Sequence, residues 1–216
     1  MSDPTKPKPT IDCTPNGPYL ITGLSLLRNS KGDELPARPK MALCRCGGSA
    51  NKPFCDGTHA KIGFSDARLR AEPPTSERVA YRGQRVTILD NRSVCAHAGY
   101  CTDGLPTVWK QGGEPWIDPD GADAQAIIEV VRRCPSGALA CAVDGVECSD
   151  PEREPQITVS KDGPYHVVGG PELRDPATGQ TPQSREHFTL CRCGGSQNKP
   201  FCDGTHWHIG FRDDKN

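Results

Sequence analysis

The feature that most constrains this chain is a run of sixteen residues that occurs twice. Residues 44–59 and 191–206 read CRCGGSANKPFCDGTH and CRCGGSQNKPFCDGTH, which differ at a single position. Each copy holds three cysteines and one histidine, and thiolates combined with imidazole are a typical ligand set for a transition metal. The repeat therefore predicts two metal or cluster sites, each carried by a copy of the same small folding unit.

The composition favours a small, loop-rich α+β protein over one with a single large core. Of 216 residues only 34% are hydrophobic, and 23 glycines with 21 prolines make up about a fifth of the chain. Small units of this kind are usually stabilised by disulfides or by bound metal. The twelve cysteines could serve either purpose.

The expected compartment and the net charge narrow the choice between disulfides and metal sites and the range of possible partners. The first residues carry no apolar run typical of a signal peptide, and no stretch approaches the ~20 apolar residues of a membrane span. We therefore expect a cytoplasmic protein whose cysteines form metal or redox sites. The formal net charge of −1 gives no electrostatic reason to expect nucleic acid or a membrane surface as a partner.

The pattern divides the chain into three units. The match between the copies extends to Gly17-Pro18-Tyr19 and Gly163-Pro164-Tyr165, and both copies end on Ile-Gly-Phe. Segments rich in proline and charged residues, at 65–77 and 149–156, separate the two repeats from a middle stretch with a different sequence pattern. The predicted units are residues 9–64, 78–148 and 155–212, named below the first repeat, the middle unit and the second repeat.

Few regular elements are predicted in the repeats. Short strands are expected at Tyr19–Thr22 and Tyr165–Val168, followed by loops at 28–40 and 171–186. A short helix is expected to begin at Asp56 and another at Asp203, with each aspartate as the N-cap. This places the last cysteine and the histidine of each motif at the start of a helix.

The middle unit has clearer sequence signals for helices and strands. A strand is predicted at 85–89 and a helix at 123–133, because Ala124, Ile127, Ile128 and Val131 fall on one helical face. Alternating apolar residues predict a strand at 139–143, and Asp144-Gly145 is a typical two-residue hairpin turn into 146–148.

The spacing of the repeated ligands suits a two-iron cluster. Two cysteines separated by one residue can bind one iron, and a cysteine and a histidine four residues apart can bind the other. Replacing one thiolate by neutral imidazole makes the site less negative, which favours acceptance of an electron. The candidate ligands are Cys44, Cys46, Cys55 and His59 in the first copy and Cys191, Cys193, Cys202 and His206 in the second.

Zinc is the alternative occupant. Three cysteines and one histidine also form a legitimate tetrahedral zinc site. Zinc sites more often separate their paired cysteines by two to four residues, so the single-residue spacing favours iron.

Both motifs resemble the CDGSH iron–sulfur domain of the NEET family. The pattern C-x-C-x2-[ST]-x3-P-x-C-D-G-[STA]-H is matched position by position in each copy. The resemblance implies a [2Fe-2S] cluster in each repeat. It also implies the family's paired packing with a shared β-cap, which one chain with two copies would form as an intramolecular pseudo-dimer within a monomer.

The middle unit carries a second kind of cysteine pattern. Cys95, Cys101 and Cys134-Pro135 are spaced as in bacterial-type ferredoxins, with Ala98 at the position of the central cysteine. Residues 81–143 resemble the divergent mono-cluster ferredoxin-like family, which implies a βαβ-type domain with a cubane cluster. Three thiolates suit a [3Fe-4S] cluster, and a [4Fe-4S] cluster with His97, or with Cys141, as fourth ligand is the alternative.

These sites predict an electron-transfer protein with three iron–sulfur centres and redox proteins as partners. The sequence has no nucleophile–base constellation, phosphate loop or nucleotide fingerprint, so it is not expected to be an enzyme. One alternative is a cluster carrier or redox sensor whose partners are apo-acceptors of clusters. The other is an oxidoreductase acting on thiols or a small oxidant.

Overall fold

The structure is a computed structural model that describes residues 7–69 and 78–216. Part of the predicted linker at 65–77 lies outside the described residues. The helices are α1 (Thr58–Lys61), α2 (Tyr100–Gly104), α3 (Ala124–Arg132) and α4 (Thr205–His208). The strands are β1 (Thr10–Cys13), β2 (Tyr19–Thr22), β3 (Leu26–Arg28), β4 (Lys40–Leu43), β5 (Val79–Arg82), β6 (Val86–Asp90), β7 (Leu139–Val143), β8 (Val146–Glu147), β9 (Gln156–Val159), β10 (Tyr165–Val168), β11 (Glu172–Arg174) and β12 (Phe188–Leu190).

Each repeat contributes one strand to the sheet of the other repeat. The first sheet has the order β11-β1-β2-β4, and the second has the order β12-β10-β9-β3. In both sheets the two hairpin strands pair antiparallel, whereas the exchanged strand pairs parallel to β1 or β9. The two repeats are therefore joined by backbone hydrogen bonds as well as by side-chain packing.

The exchanged strands were not predicted from the sequence. The predicted loop at 171–186 contains β11, and β3 ends where the predicted loop at 28–40 begins. Each has three residues, too few to show a hydrophobic period. They are strands because a sheet edge of the other repeat supplies their hydrogen-bond partners, which is a long-range cause.

The core of the two repeats follows the period of their strands. In β1 the side chains of Ile11 and Cys13 are buried, and Ile157 and Val159 occupy the matching positions of β9. Alternate residues of a strand point to one face of the sheet, so these four side chains form one apolar layer. Cys13 therefore serves as a small apolar core residue at the position held by valine in the second repeat.

A reciprocal pair of tyrosines links the two repeats at the centre. Tyr19 donates its hydroxyl to the carbonyl oxygens of Cys191 (2.9 Å) and Pro200 (3.0 Å). Tyr165 donates in the same way to Cys44 (2.9 Å) and Pro53 (3.0 Å). The tyrosine rings meet edge to face with centroids 6.1 Å apart. Each tyrosine thus fixes the cysteine-containing loop of the opposite repeat.

Removal of one of these hydroxyl groups should destabilise the protein measurably. We expect Tyr165→Phe to lower the free energy of unfolding by about 1–2 kcal/mol, because a buried donor to two carbonyl oxygens is lost. Urea unfolding monitored by circular dichroism measures the change. Tyr81→Phe, at a partly buried position of β5, is the control. Equal stability of the Tyr165 variant and this control would contradict the role of the tyrosine pair.

The middle unit is an antiparallel sheet covered by a helix. The sheet order is β5-β6-β7-β8, and α3 packs on β7 with Ile127, Val130 and Val131 buried. Asp123 caps α3 by accepting a hydrogen bond from the backbone N–H of Ala126 (2.9 Å), as the sequence predicted. The strands joined through the helices, β6 and β7, pair antiparallel rather than in the parallel arrangement of a βαβ unit.

Candidate metal centres

The first motif brings its four candidate ligands together as two pairs. Cys44 follows the end of β4, and its Sγ lies 3.8 Å from Sγ of Cys46. Cys55 precedes α1 and His59 lies within it, with Sγ and Nδ1 separated by 3.4 Å. These distances suit two donors that share one metal, so the residues could hold two metal atoms with two protein ligands each.

The second motif repeats this geometry closely. The Sγ atoms of Cys191 and Cys193 lie 3.6 Å apart, and Sγ of Cys202 lies 3.4 Å from Nδ1 of His206. Within the ranges that the structure describes, no three His, Cys, Asp or Glu side chains are grouped so that they could hold a metal ion. The arrangement in both motifs is therefore two separate pairs of donors.

The helices of the motifs begin one residue later than predicted. Gly57, with φ 86°, is the N-cap of α1, and Gly204, with φ 85°, is the N-cap of α4. Asp56 still contributes, because its carboxylate accepts hydrogen bonds from the backbone N–H groups of Ala50 (2.8 Å) and Thr58 (3.0 Å). Hydrogen bonds from Thr58 hold the pKa of Asp56 well below its usual value, so this carboxyl group is ionised at neutral pH.

Glycines let backbone N–H groups approach the sulfur atoms. The N–H groups of Gly48 and Gly57 point at Sγ of Cys46 and Cys55, each at 3.4 Å. The second motif has the same contacts from Gly195 and Gly204. Such donors stabilise negative charge on thiolate sulfur, which a metal–thiolate site requires.

The two motifs meet each other back to back. Cys46 and Cys193 form an isolated antiparallel bridge between the two loops. A methyl group at Gly47 would lie 2.5 Å from the carbonyl oxygen of Cys193, and one at Gly194 would lie 2.6 Å from that of Cys46. Only glycine permits this approach, because any side chain would collide with backbone atoms.

Although the motifs are nearly identical, their surroundings differ. In the second repeat Asn198, Cys202 and His206 are buried, with exposed fractions of 0%, 3% and 4%. In the first repeat the matching Asn51 is exposed, and Cys55 and His59 are partly exposed. The second site is therefore enclosed, whereas the first site borders the solvent.

The middle unit contributes to this enclosure. Asn198 donates through Nδ2 to the carbonyl oxygen of Ser93 (2.8 Å), and Asn91 donates to Gln183 (2.6 Å). The ring of His97 lies against Gly204, where an added methyl group would be 2.4 Å from Cδ2 of the ring. The sequence could not reveal these roles of Asn198 and Gly204, because the same residues stand in the exposed copy of the motif.

Burial shifts the ionisation of the second site. It raises the pKa of the Cys202 thiol well above its ordinary value and lowers the pKa of His206 to about 4. Desolvation disfavours the charged form of each group, so without metal this pair is a neutral thiol beside a neutral imidazole at pH 7.

The middle unit places its three predicted cysteines around one cavity. The cavity has a volume of about 340 Å³ and is lined by Cys95, Cys101 and Cys134 together with His97. Cys101 lies in α2, a helix that the sequence analysis did not predict. Burial raises the pKa of Cys95 to about 11. Cys141 lines a different cavity, so of the two proposed fourth ligands only His97 borders the cysteine site.

One further group at this cavity was not predicted from the sequence. Asp90, at the end of β6, is 1% exposed and borders the cavity. Its Oδ1 has no hydrogen-bond partner among the residues that the structure describes, and burial raises its pKa to about 6. No motif surrounds this aspartate, so only the fold reveals it.

The contact between His97 and Gly204 can be tested with a matched pair of variants. Gly204→Ala and Gly57→Ala impose the same left-handed strain, but nothing lies within 4 Å of the added methyl group at Gly57. We therefore expect the hydrogen–deuterium exchange rate of the backbone amides of residues 95–99 to rise at least about tenfold in the Gly204 variant. A loss of about 1.4 kcal/mol in the free energy of local opening corresponds to a tenfold faster exchange. Unchanged exchange there in both variants would disprove the contact.

Comparisons with known proteins find matches over the regions that carry these candidate sites. Residues 16–60 and 162–207 match the family described as iron-binding zinc finger CDGSH type, and residues 81–144 match the family described as divergent 4Fe-4S mono-cluster. The uncharacterized protein YjdI of Escherichia coli, from strains K12 and O157:H7, is 36% identical over 59 residues. That match covers 27% of this chain and 78% of YjdI. No solved structure matches the chain.

The matched regions are those that carry the three cysteine sites, which defines the class as an iron–sulfur protein. The chain contains two regions of the CDGSH iron-binding type that flank a region of the divergent 4Fe-4S mono-cluster type. Within the described residues no helix has the length and apolar character to cross a membrane.

Proposed function

We propose that this protein transfers single electrons through two histidine-ligated [2Fe-2S] clusters and one cubane cluster. The observation that carries the proposal is the gathering of three thiol sites in one chain, with the repeats back to back at Gly47 and Gly194 and the middle unit against the second repeat. Iron–sulfur clusters supply one-electron redox chemistry when bound. Redox partner proteins in the cytoplasm are the proposed donors and acceptors.

The two-plus-two arrangement of donors supports the following proposed ligands of the repeats. In the first repeat Cys44 and Cys46 would hold one iron, and Cys55 and His59 would hold the other. The second repeat would use Cys191, Cys193, Cys202 and His206 in the same order. The N–H groups directed at cysteine sulfur fit this role, because they stabilise the anionic site without adding charge.

The exchanged strands support an intramolecular pseudo-dimer. Each repeat provides a strand to the other sheet and a tyrosine to the other cysteine loop. One chain thereby supplies both halves of the paired packing that the family resemblance implies. We propose that the protein is a monomer in solution.

The middle cluster is proposed to be bound by Cys95, Cys101 and Cys134. Three thiolates suit a [3Fe-4S] cluster, while the matched family is described by a 4Fe-4S cluster. His97 is the proposed fourth ligand if the cluster has four irons, because it borders the same cavity. Its contact with Gly204 would then link the middle cluster to the second repeat.

Cluster donation is the second candidate function. It is favoured by the partial exposure of Cys55 and His59, since a ligand near solvent can be displaced by an acceptor. In this role the protein would pass the cluster of the first repeat to an apo-protein or sense its loss.

A redox titration separates the two functions. If the protein is an electron carrier, anaerobic reduction by dithionite followed by oxidation with ferricyanide should restore the visible spectrum with its iron retained. Incubation with an apo-ferredoxin should then leave the acceptor without cluster. Transfer of cluster to the apo-ferredoxin, with matching loss from this protein, would favour the carrier function instead.

A further inference from the structure

One face of the first repeat is an open groove beside the first metal centre. The groove has a volume of about 490 Å³ and lies against β4 and the motif loop. Its lining includes Arg38, Lys40, Asn51, Phe54 and Cys55. A molecule seated in the groove would therefore touch one of the proposed cluster ligands.

The equivalent face of the second repeat is already covered by the middle unit. Lys40, Asn51 and Cys55 correspond to His187, Asn198 and Cys202, and the latter three are buried. The middle unit reaches this face through the bond from Asn198 to Ser93, and through Gly137, where a methyl group would lie 3.0 Å from the carbonyl oxygen of His187. The fold thus packs a mono-cluster ferredoxin domain on this face in one repeat and leaves it free in the other.

The open face is cationic. The residues lining the groove include two cations and no carboxylate. Arg38 and Lys40 are exposed, and neither forms an ion pair with any residue that the structure describes. Unpaired cations beside a redox site attract anionic partners over about a Debye length, roughly 10 Å at 0.1 M salt.

We propose that this groove is the docking surface for a separate acidic protein of the ferredoxin type. The inference rests on the proposed function and names the kind of partner that exchanges electrons at the first site. Carboxylates of the partner would pair with Arg38 and Lys40, and its redox centre would face Cys55. The second site, enclosed by the middle unit, is internal and does not receive this partner.

A second copy of the chain is a less suitable occupant. The whole chain carries a formal net charge of −1, so it offers little general attraction to a cationic groove. An acidic ferredoxin would be attracted to this groove, because charge complementarity accelerates the association of redox proteins and aligns their centres.

The first test is chemical cross-linking of the cluster-loaded protein to an acidic plant-type [2Fe-2S] ferredoxin. A carbodiimide joins an amine to a carboxylate by an amide bond and leaves as a urea, so the products report which lysines face the partner. Mass spectrometry is expected to find Lys40 in the main cross-link. Lys40→Glu should abolish that product, whereas Lys31→Glu, an equal change of charge at an exposed residue outside the groove lining, should preserve it.

The second test is the rate at which reduced ferredoxin is oxidised by the protein, one electron for each ferredoxin. We expect Lys40→Glu and Arg38→Glu each to lower the second-order rate constant about tenfold at low ionic strength, and less than about twofold near 0.5 M salt. Lys31→Glu should change the rate less than about twofold at either salt concentration.

Cross-linking through lysines outside the groove, an equal effect of Lys31→Glu, or a product containing two copies of this chain would overturn the docking proposal. A protein that proves to contain no cluster would overturn the proposed function instead. The cross-linking map tests the docking proposal independently of the proposed function, because cross-linking does not require electron transfer.

Discussion

Replacement of Cys134 by serine is expected to remove the middle cluster and to leave both repeats loaded. Cys134 follows α3 and borders the cavity shared with Cys95 and Cys101. An alcohol is a much poorer ligand for iron than a thiolate, and a cubane held by three thiolates has no replacement for one of them. About three of seven irons, or about four of eight if the middle cluster has four irons, should be lost, while the spectrum of the [2Fe-2S] sites persists.

The matched control is Cys141→Ser. Cys141 is also buried in the middle unit, but it packs in the core outside the cysteine cavity. Its substitution should retain all of the iron. Iron and sulfide analysis together with electron paramagnetic resonance measures both variants. Full iron content in Cys134→Ser, or selective loss of the middle cluster in Cys141→Ser, would refute the assignment of the middle site.

The largest loss of stability is expected from Arg192→Met. The Arg192 guanidinium is buried against the Asp213 carboxylate, with side-chain exposures of 1% and 2% and an N–O distance of 2.5 Å. It also donates to the carbonyl oxygens of Gly163 (2.6 Å) and Ser160 (2.7 Å). Methionine would leave a buried carboxylate without its cation, which costs about 3–5 kcal/mol.

The first repeat supplies the control for this variant. Arg45 occupies the matching position and pairs with Asp66 at 3.1 Å, but Asp66 is 12% exposed and can be partly solvated once the cation is gone. We therefore expect Arg45→Met to cost less, about 1–3 kcal/mol. Urea midpoints of the cluster-loaded variants compare the two. Equal losses, or a greater loss from Arg45→Met, would show that burial of the carboxylate is not the cause.

Some local elements of this fold were accessible from the sequence. The hydrophobic face of α3, its cap at Asp123 and the turn at Asp144-Gly145 are each determined by a few neighbouring residues. The pairing of the candidate ligands within each motif was equally predictable, because spacing along the chain decides which side chains meet. The helix starts were misplaced by one residue because Gly57 and Gly204, rather than the aspartates, adopt the capping conformation.

The relations between units were not accessible in the same way. The strands β3 and β11 depend on a sheet edge more than a hundred residues away in the chain. The difference between the two candidate metal centres is a clearer case, because their motifs differ only at Ala50 and Gln197. Which copy is enclosed depends on the docking of the middle unit, and identical residues cannot encode different surroundings.

The most direct test of the central claim is the metal and sulfide content of anaerobically purified protein, combined with electron paramagnetic resonance. We expect a coloured protein with about seven or eight irons and a similar amount of acid-labile sulfide per chain. We also expect signals from two [2Fe-2S] sites on reduction and a separate signal from the middle cluster. A colourless protein that holds zinc at the repeated motifs, with no labile sulfide, would contradict it.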